Sequence, residues 1–192
     1  MNIKIKKHFL EIKKILEKPD KLISETHKIS KILKKKIGSK NTIYVYGNGG
    51  SFADASHFVG ELTASYSSKK RSPLPFILLG SNLTALTGWS NDFNFDDYVS
   101  REFSALAKKG DILFLLSTSG GNLKKKQSLN LIKLARLAKI KKIEIIALLG
   151  KGGGELKKIS NKSIIINSYK TGSIQEAHKI IFHSICETFE NL

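Results

Sequence analysis

The chain has 192 residues, 41% of them apolar, which suits one domain with a substantial core. It carries 33 Lys+Arg against 16 Asp+Glu, a formal net charge of +17. The excess is mostly lysine spread along helix faces, without the arginine-and-aromatic interleaving of a base-stacking surface, so specific nucleic-acid binding is not expected and a field that draws in an anionic substrate is. No run nears the roughly 18 unbroken apolar residues of a membrane helix, and the amino terminus has no signal-peptide block, so the expectation is a cytoplasmic protein with no membrane contact. Cys186 is the single cysteine, which excludes an intrachain disulfide and a cysteine-based zinc cluster.

Residues 2–17 place Ile3, Ile5, Phe9, Ile12 and Leu16 at helical spacing. Pro19 interrupts the pattern, and a second helix is predicted from Asp20 to Ile37. Five short apolar runs follow, Thr42–Tyr46, Phe76–Leu79, Ile112–Leu116, Ile143–Leu149 and Ser163–Ile166, with helical patterns between most of them. This alternation predicts an α/β fold, a doubly wound five-stranded parallel sheet flanked by helices. The expected organisation is a single domain over 1–192, with two N-terminal helices in 1–38 and the α/β core in 39–192.

Open parallel sheets bind ligands beyond the carboxyl ends of their strands. The chain is unusual at those ends. The first strand runs into Gly47-Asn48-Gly49-Gly50-Ser51, the third into Ser117-Thr118-Ser119-Gly120, and the fourth into Gly150-Lys151-Gly152-Gly153-Gly154. Glycine lets backbone N–H groups approach an anion at a helix start, and clustered hydroxyls donate to phosphate oxygens. Phe52 breaks the dinucleotide fingerprint, and no strand is followed by a P-loop ending, so neither a nicotinamide cofactor nor ATP is indicated. His57 and Glu61, four apart on the helix after the first loop, share one face. Gln175, His178 and His183 lie on the last helix, whose apolar face includes Ile174, Ile181 and Ile185.

The stretch from Gly47 through Phe58, then Glu61-Leu62-Thr63, Asn91-Asp92-Phe93, Ser117-Thr118-Ser119-Gly120 and Ile174-Gln175-Glu176 followed by His183, resembles the phosphoheptose isomerases of the sugar isomerase (SIS) fold family over nearly the whole length. The resemblance implies a flavodoxin-like SIS domain that interconverts sedoheptulose 7-phosphate and D-glycero-D-manno-heptose 7-phosphate for heptose and surface glycan (lipopolysaccharide) synthesis. It implies substrate contacts from Asn48, Gly49, Gly50, Ser51, Glu61, Asn91, Asp92, Ser117, Thr118, Ser119, Ser128 and Gln175, with Glu61 and His183 moving protons. It also implies zinc on His57, Glu61, Gln175 and His183, and a homotetramer with interfacial active sites. Eight residues of straight helix separate Gln175 from His183 by about 12 Å, so one ion on both requires a bent helix or ligands from two chains, or else metal is absent.

Two departures from the family pattern stand out. Residues 121–126 form an insertion, with Ser128 as the equivalent of the loop's last serine, and Gly172 replaces an acidic residue three positions before Gln175. The alternatives are an isomerase of another ketose phosphate and a non-catalytic regulator resembling the initiator-associating relative of this fold, which lacks the catalytic pair.

Overall fold

The computed structural model describes residues 2–190; Met1, Asn191 and Leu192, the ends of the expected domain span, lie outside the described residues. Helix α1 (Ile3–Leu16) begins at Asn2, whose side-chain oxygen accepts the Lys4 N–H at 3.0 Å. Pro19 sits at the N-cap of α2 (Asp20–Gly38), where its missing N–H costs no helical hydrogen bond. Both helices match the expected spans to within a residue or two.

The sheet comprises β1 (Ile43–Gly47), β2 (Phe76–Leu78), β3 (Ile112–Ser117), β4 (Glu144–Gly150) and β5 (Lys162–Ile166). All pairings are parallel, in the order β2-β1-β3-β4-β5. The remaining helices are α3 (Gly50–Thr63), α4 (Leu83–Asp92), α5 (Phe95–Leu106), α6 (Leu129–Ile140), α7 (Gly154–Ile159) and α8 (Thr171–Phe189).

Successive strand residues point to opposite faces, and here both faces are covered, which is why the strands read as unbroken apolar runs. Ile43, Val45, Phe114, Leu116, Ile146 and Leu148 pack with Leu33 of α2, Phe58 and Leu62 of α3, and Phe182 and Ile185 of α8. Tyr44, Tyr46, Leu113, Leu115, Ile145 and Ala147 pack on the other face with Phe103 of α5, Leu134 and Ala135 of α6, and Leu156 of α7. The chain leaves β1 toward β2 on one side and returns to β3 on the other. The strand order therefore reverses between β1 and β3, and the crevice that reversal opens lies at their carboxyl ends.

Residues 121–126, expected to be an insertion, form an ordered turn. Asn122 and Gln127 exchange backbone hydrogen bonds of 3.0 and 2.9 Å, and Lys124, Lys125 and Lys126 stand exposed at its tip. No helix among the described residues is long and apolar enough to cross a membrane.

Candidate active site

The crevice between β1 and β3 is built by close backbone approach. Gly47 pairs with Leu116 across the two strands, and a Cβ on Gly47 would meet the Ser51 and Leu116 carbonyl oxygens at 2.6 and 2.9 Å. Only glycine lets the loop fold back this tightly. Asn48 then turns into the crevice and pairs with Asn130 of α6 through two amide hydrogen bonds of 2.8 and 2.9 Å. The Tyr46 hydroxyl donates to Asn48 Oδ1 and accepts from Asn130 Nδ2, both at 3.1 Å. Burial pushes the Tyr46 phenol up to about 12, so it stays a neutral donor and holds the Asn48 carbonyl in place.

Beside this loop, Ser117 Oγ accepts the Gly120 N–H at 3.0 Å and Ser119 Oγ accepts the Gly121 N–H at 3.3 Å. Each hydroxyl accepts one backbone N–H and keeps its O–H donor uncommitted, the group a phosphate oxygen needs. The third glycine-rich loop, after β4, supports the second rather than facing a ligand. Leu156 and Glu155 N–H groups donate to the Gly120 and Gly121 carbonyls at 2.8 and 3.2 Å. A Cβ on Gly120 would come within 1.9 Å of the Gly153 oxygen.

The second half of the site lies along the seam between α3 and α8, which run parallel. A Cβ on Gly50 would meet Gln175 Nε2 at 2.2 Å, so Gln175 lies against the start of α3. One turn on, Lys179 Nζ stands 3.5 Å from Asp54 Oδ1. At the far end His57 Nε2 and Glu61 Oε1 are 2.8 Å apart, and the His57 and His183 rings are 5.0 Å apart between centroids. Ligand atoms of His57, Glu61 and His183 all lie within 4.8 Å of one another. Burial first, then the neighbouring His57, holds the His183 imidazole below the ordinary histidine range, which keeps it neutral at neutral pH.

A buried ion pair fixes this end of the seam. Arg71 donates from Nη2 to the Glu61 carbonyl and from Nη1 to the Leu62 carbonyl, at 2.8 and 2.9 Å. It thereby satisfies two orphan carbonyls at the end of α3. Its Nε meets Glu190 Oε1 at 3.1 Å, just past the end of α8. Glu190 Oε2 accepts the Ser67 hydroxyl at 2.7 Å and the Ser67 and Ser68 N–H groups. These bonds hold the Glu190 carboxyl below its usual range.

The structure thus brings Asn48, Gly49, Gly50, Ser51, Ser117, Thr118 and Ser119 to adjacent strand ends, and His57, Glu61 and His183 into one cluster. Gln175 stands apart from that cluster, since the helical rise sets it about 12 Å from His183. Ser128, in left-handed conformation with φ 54°, opens α6 just past the Asn122–Gln127 turn. Asn91 and Asp92 lie exposed at the end of α4, the Asn91 amide donating to the Asp92 carboxyl at 3.0 Å. Within one chain the two halves are also far apart, because α3 runs back from the strand ends and its rise places Glu61 about 15 Å beyond Ser51. His57, Glu61 and His183 form a two-histidine, one-carboxylate set of the kind that holds a divalent metal with an open position.

Sequence reasoning missed Asn130, Asp54, Lys179 and Arg71. Asn130 had a signal, a carboxamide in the first turn of the helix after the serine loop. Arg71 had none, because its partner is 119 residues away.

Comparison with known proteins agrees with this geometry. The SIS domain family model matches residues 7–150. The phosphoheptose isomerase of Campylobacter concisus is 40% identical over 148 residues, 77% of this chain and 75% of that one. That of Aliarcobacter butzleri is 36% identical over 192 residues, 100% and 98% of the two chains. The solved phosphoheptose isomerase of Neisseria gonorrhoeae superposes with a TM-score of 0.86 at 28% identity, covering 98% of both chains. That of Francisella tularensis gives 0.90 at 26%, covering 98% and 97%. A parallel sheet with its order reversing at a glycine loop and a hydroxyl loop, a His/Glu/His cluster on the neighbouring helices and these full-length likenesses lead to one assignment: the chain belongs to the phosphoheptose isomerase family of SIS-domain proteins.

Proposed function

We propose that the protein interconverts sedoheptulose 7-phosphate and D-glycero-D-manno-heptose 7-phosphate, in the cytoplasm, as an early step toward activated heptose for surface glycans. The observation that carries this reading is the pairing of a carboxylate and a neutral imidazole, Glu61 and His183, in one cluster. Moving a carbonyl between C2 and C1 needs a proton-transfer group for each carbon. From ketose to aldose, Glu61 takes a proton from C1. The C1–H electron pair becomes the C1=C2 bond of an enediol, and O2 receives the proton from Glu61. His183, neutral, then takes the O1 proton as C1=O forms and, now an imidazolium, delivers a proton to C2.

The Ser117, Thr118 and Ser119 hydroxyls, with the Gly49–Gly50 turn, hold the phosphate, and Asn48 orients the chain of hydroxyls. Ser128, Asn91, Asp92 and Gln175 complete the sugar contacts. A zinc ion on His57, Glu61 and His183, joined by Gln175 from a bent α8 or from a second chain, would polarise the substrate carbonyl. The separation of about 15 Å along α3 supports a site completed between chains of a homotetramer. So do the apolar residues left exposed on α1 and at the two ends of α4, Ile3, Ile5, Phe9, Leu83 and the C-cap Phe93.

The test is incubation of purified protein with sedoheptulose 7-phosphate and identification of the aldose phosphate formed. A heptose 7-phosphate product is expected. Absence of conversion, with turnover of another ketose phosphate instead, would overturn the substrate.

A further inference from the structure

We propose that Lys179, held by Asp54 across the seam between α3 and α8, is a catalytic cation that donates to the C2 oxygen as negative charge develops there. The proposal rests on the isomerase reading above.

Asp54 is 3% exposed, yet its Oδ2 is buried with no hydrogen-bond partner and its Oδ1 meets only Lys179 Nζ, at 3.5 Å. A buried carboxylate ordinarily accepts several hydrogen bonds, and an unfilled acceptor is costly. Lys179 is half-exposed, and its ammonium carries three donors, of which the long Asp54 contact engages one. Asp54 Oδ2 is closed off from solvent, so what a polyhydroxylated ligand can reach here is the half-exposed Lys179 ammonium, one ligand oxygen accepting from a free Nζ donor.

Position decides which oxygen that is. Lys179 precedes His183 by four residues and Asp54 precedes His57 by three, so the pair stands one helical turn from the His57, Glu61 and His183 cluster on the same seam. When Glu61 removes the C1 proton, the C1–H pair forms C1=C2 and the carbonyl π pair moves onto O2. An ammonium tethered to Asp54 within a turn of both proton-transfer groups is placed to stabilise that charge. The same charge repels a divalent ion on the cluster, so Lys179 also weakens metal binding there.

The experiment uses Lys179→Met, with Asp54→Asn/Lys179→Met as the variant that leaves no unpaired buried carboxylate. Two readouts are taken, steady-state kinetics with sedoheptulose 7-phosphate and equilibrium titration with Co²⁺. The expected result is a kcat lower by about 30-fold with KM changed less than about threefold in both variants, and Co²⁺ bound about three- to tenfold more tightly by Lys179→Met. A kcat at the parent value in both variants, or a Co²⁺ affinity at the parent value in Lys179→Met, overturns the proposal. A parent protein with no turnover refutes the isomerase reading and with it the role at O2. That result is distinct from parental turnover retained by Lys179→Met, which refutes Lys179 alone.

Discussion

Glu61 is held at two points, its carboxylate by His57 and its main-chain carbonyl by Arg71, so the side chain has a defined direction before any substrate arrives. Glu61→Gln preserves shape and hydrogen bonding while removing the proton acceptor. We expect kcat to fall by about 10²-fold or more with the far-ultraviolet spectrum unchanged. Turnover near the parent rate would take Glu61 out of the reaction. His178 presents the opposite situation. It is fully buried, its Nε2–H donates to the Leu149 carbonyl at 3.3 Å, Nδ1 has no partner, and burial lowers its pKa to about 4. The unfolded chain therefore binds a proton that the folded chain refuses between pH 6.5 and about 4, so this histidine's contribution falls as pH drops through that window, by roughly 3 kcal/mol in all. His178→Asn keeps a donor for Leu149 without the titration. Its thermal midpoint should fall less than the parent's between pH 7 and pH 4, and equal losses would place the acid sensitivity elsewhere.

At the scale of elements, the site depends on loops that press backbone against backbone. Gly120 has φ 68°, and a methyl group there would overlap the Gly153 carbonyl. Gly120→Ala must therefore displace the hydroxyl loop from the loop after β4. The expected result is KM for the phosphosugar raised about tenfold or more with a smaller change in kcat, measured by steady-state kinetics. Unchanged KM would show that the phosphate is held elsewhere. Much of this was legible beforehand. The β-branched runs bounded by glycine and serine locate every strand to within a residue, and strand-end chemistry marks Asn48 to Ser51 and Ser117 to Ser119 without any structure. What sequence could not supply is which loops face ligand and which brace one another. The Gly150–Gly154 segment looks like a third anion loop, yet its helix N–H groups are spent on the Gly120 and Gly121 carbonyls. Nor could spacing reveal that Gln175 meets Gly50, or that Arg71 and Glu190 join the ends of α3 and α8. Those contacts depend on how two helices far apart in sequence align across the sheet.

For the whole molecule, a metal on the proposed ligand set would be linked to stability. A ligand set drawn from α3 and α8 ties distant segments together, so added zinc should raise the unfolding temperature by mass action. His57→Ala should lose most of that gain. A calorimetric midpoint indifferent to zinc in the parent protein would remove the metal from the account. The parallel course of α3 and α8 has another consequence. On the proposed assignment each chain carries the loop that holds phosphate at one end of the sheet and the proton-transfer pair about 15 Å along a helix toward the other, so a site shared between chains would borrow one half from each neighbour. Two defective chains can then repair one another. Glu61→Gln and a Ser117→Ala/Ser119→Ala double variant, each impaired alone, should regain turnover when unfolded and refolded together, because some sites in the mixed assembly pair an intact loop with an intact Glu61. Activity of the mixture no greater than the mean of the two separate proteins would place both halves of the site within a single chain.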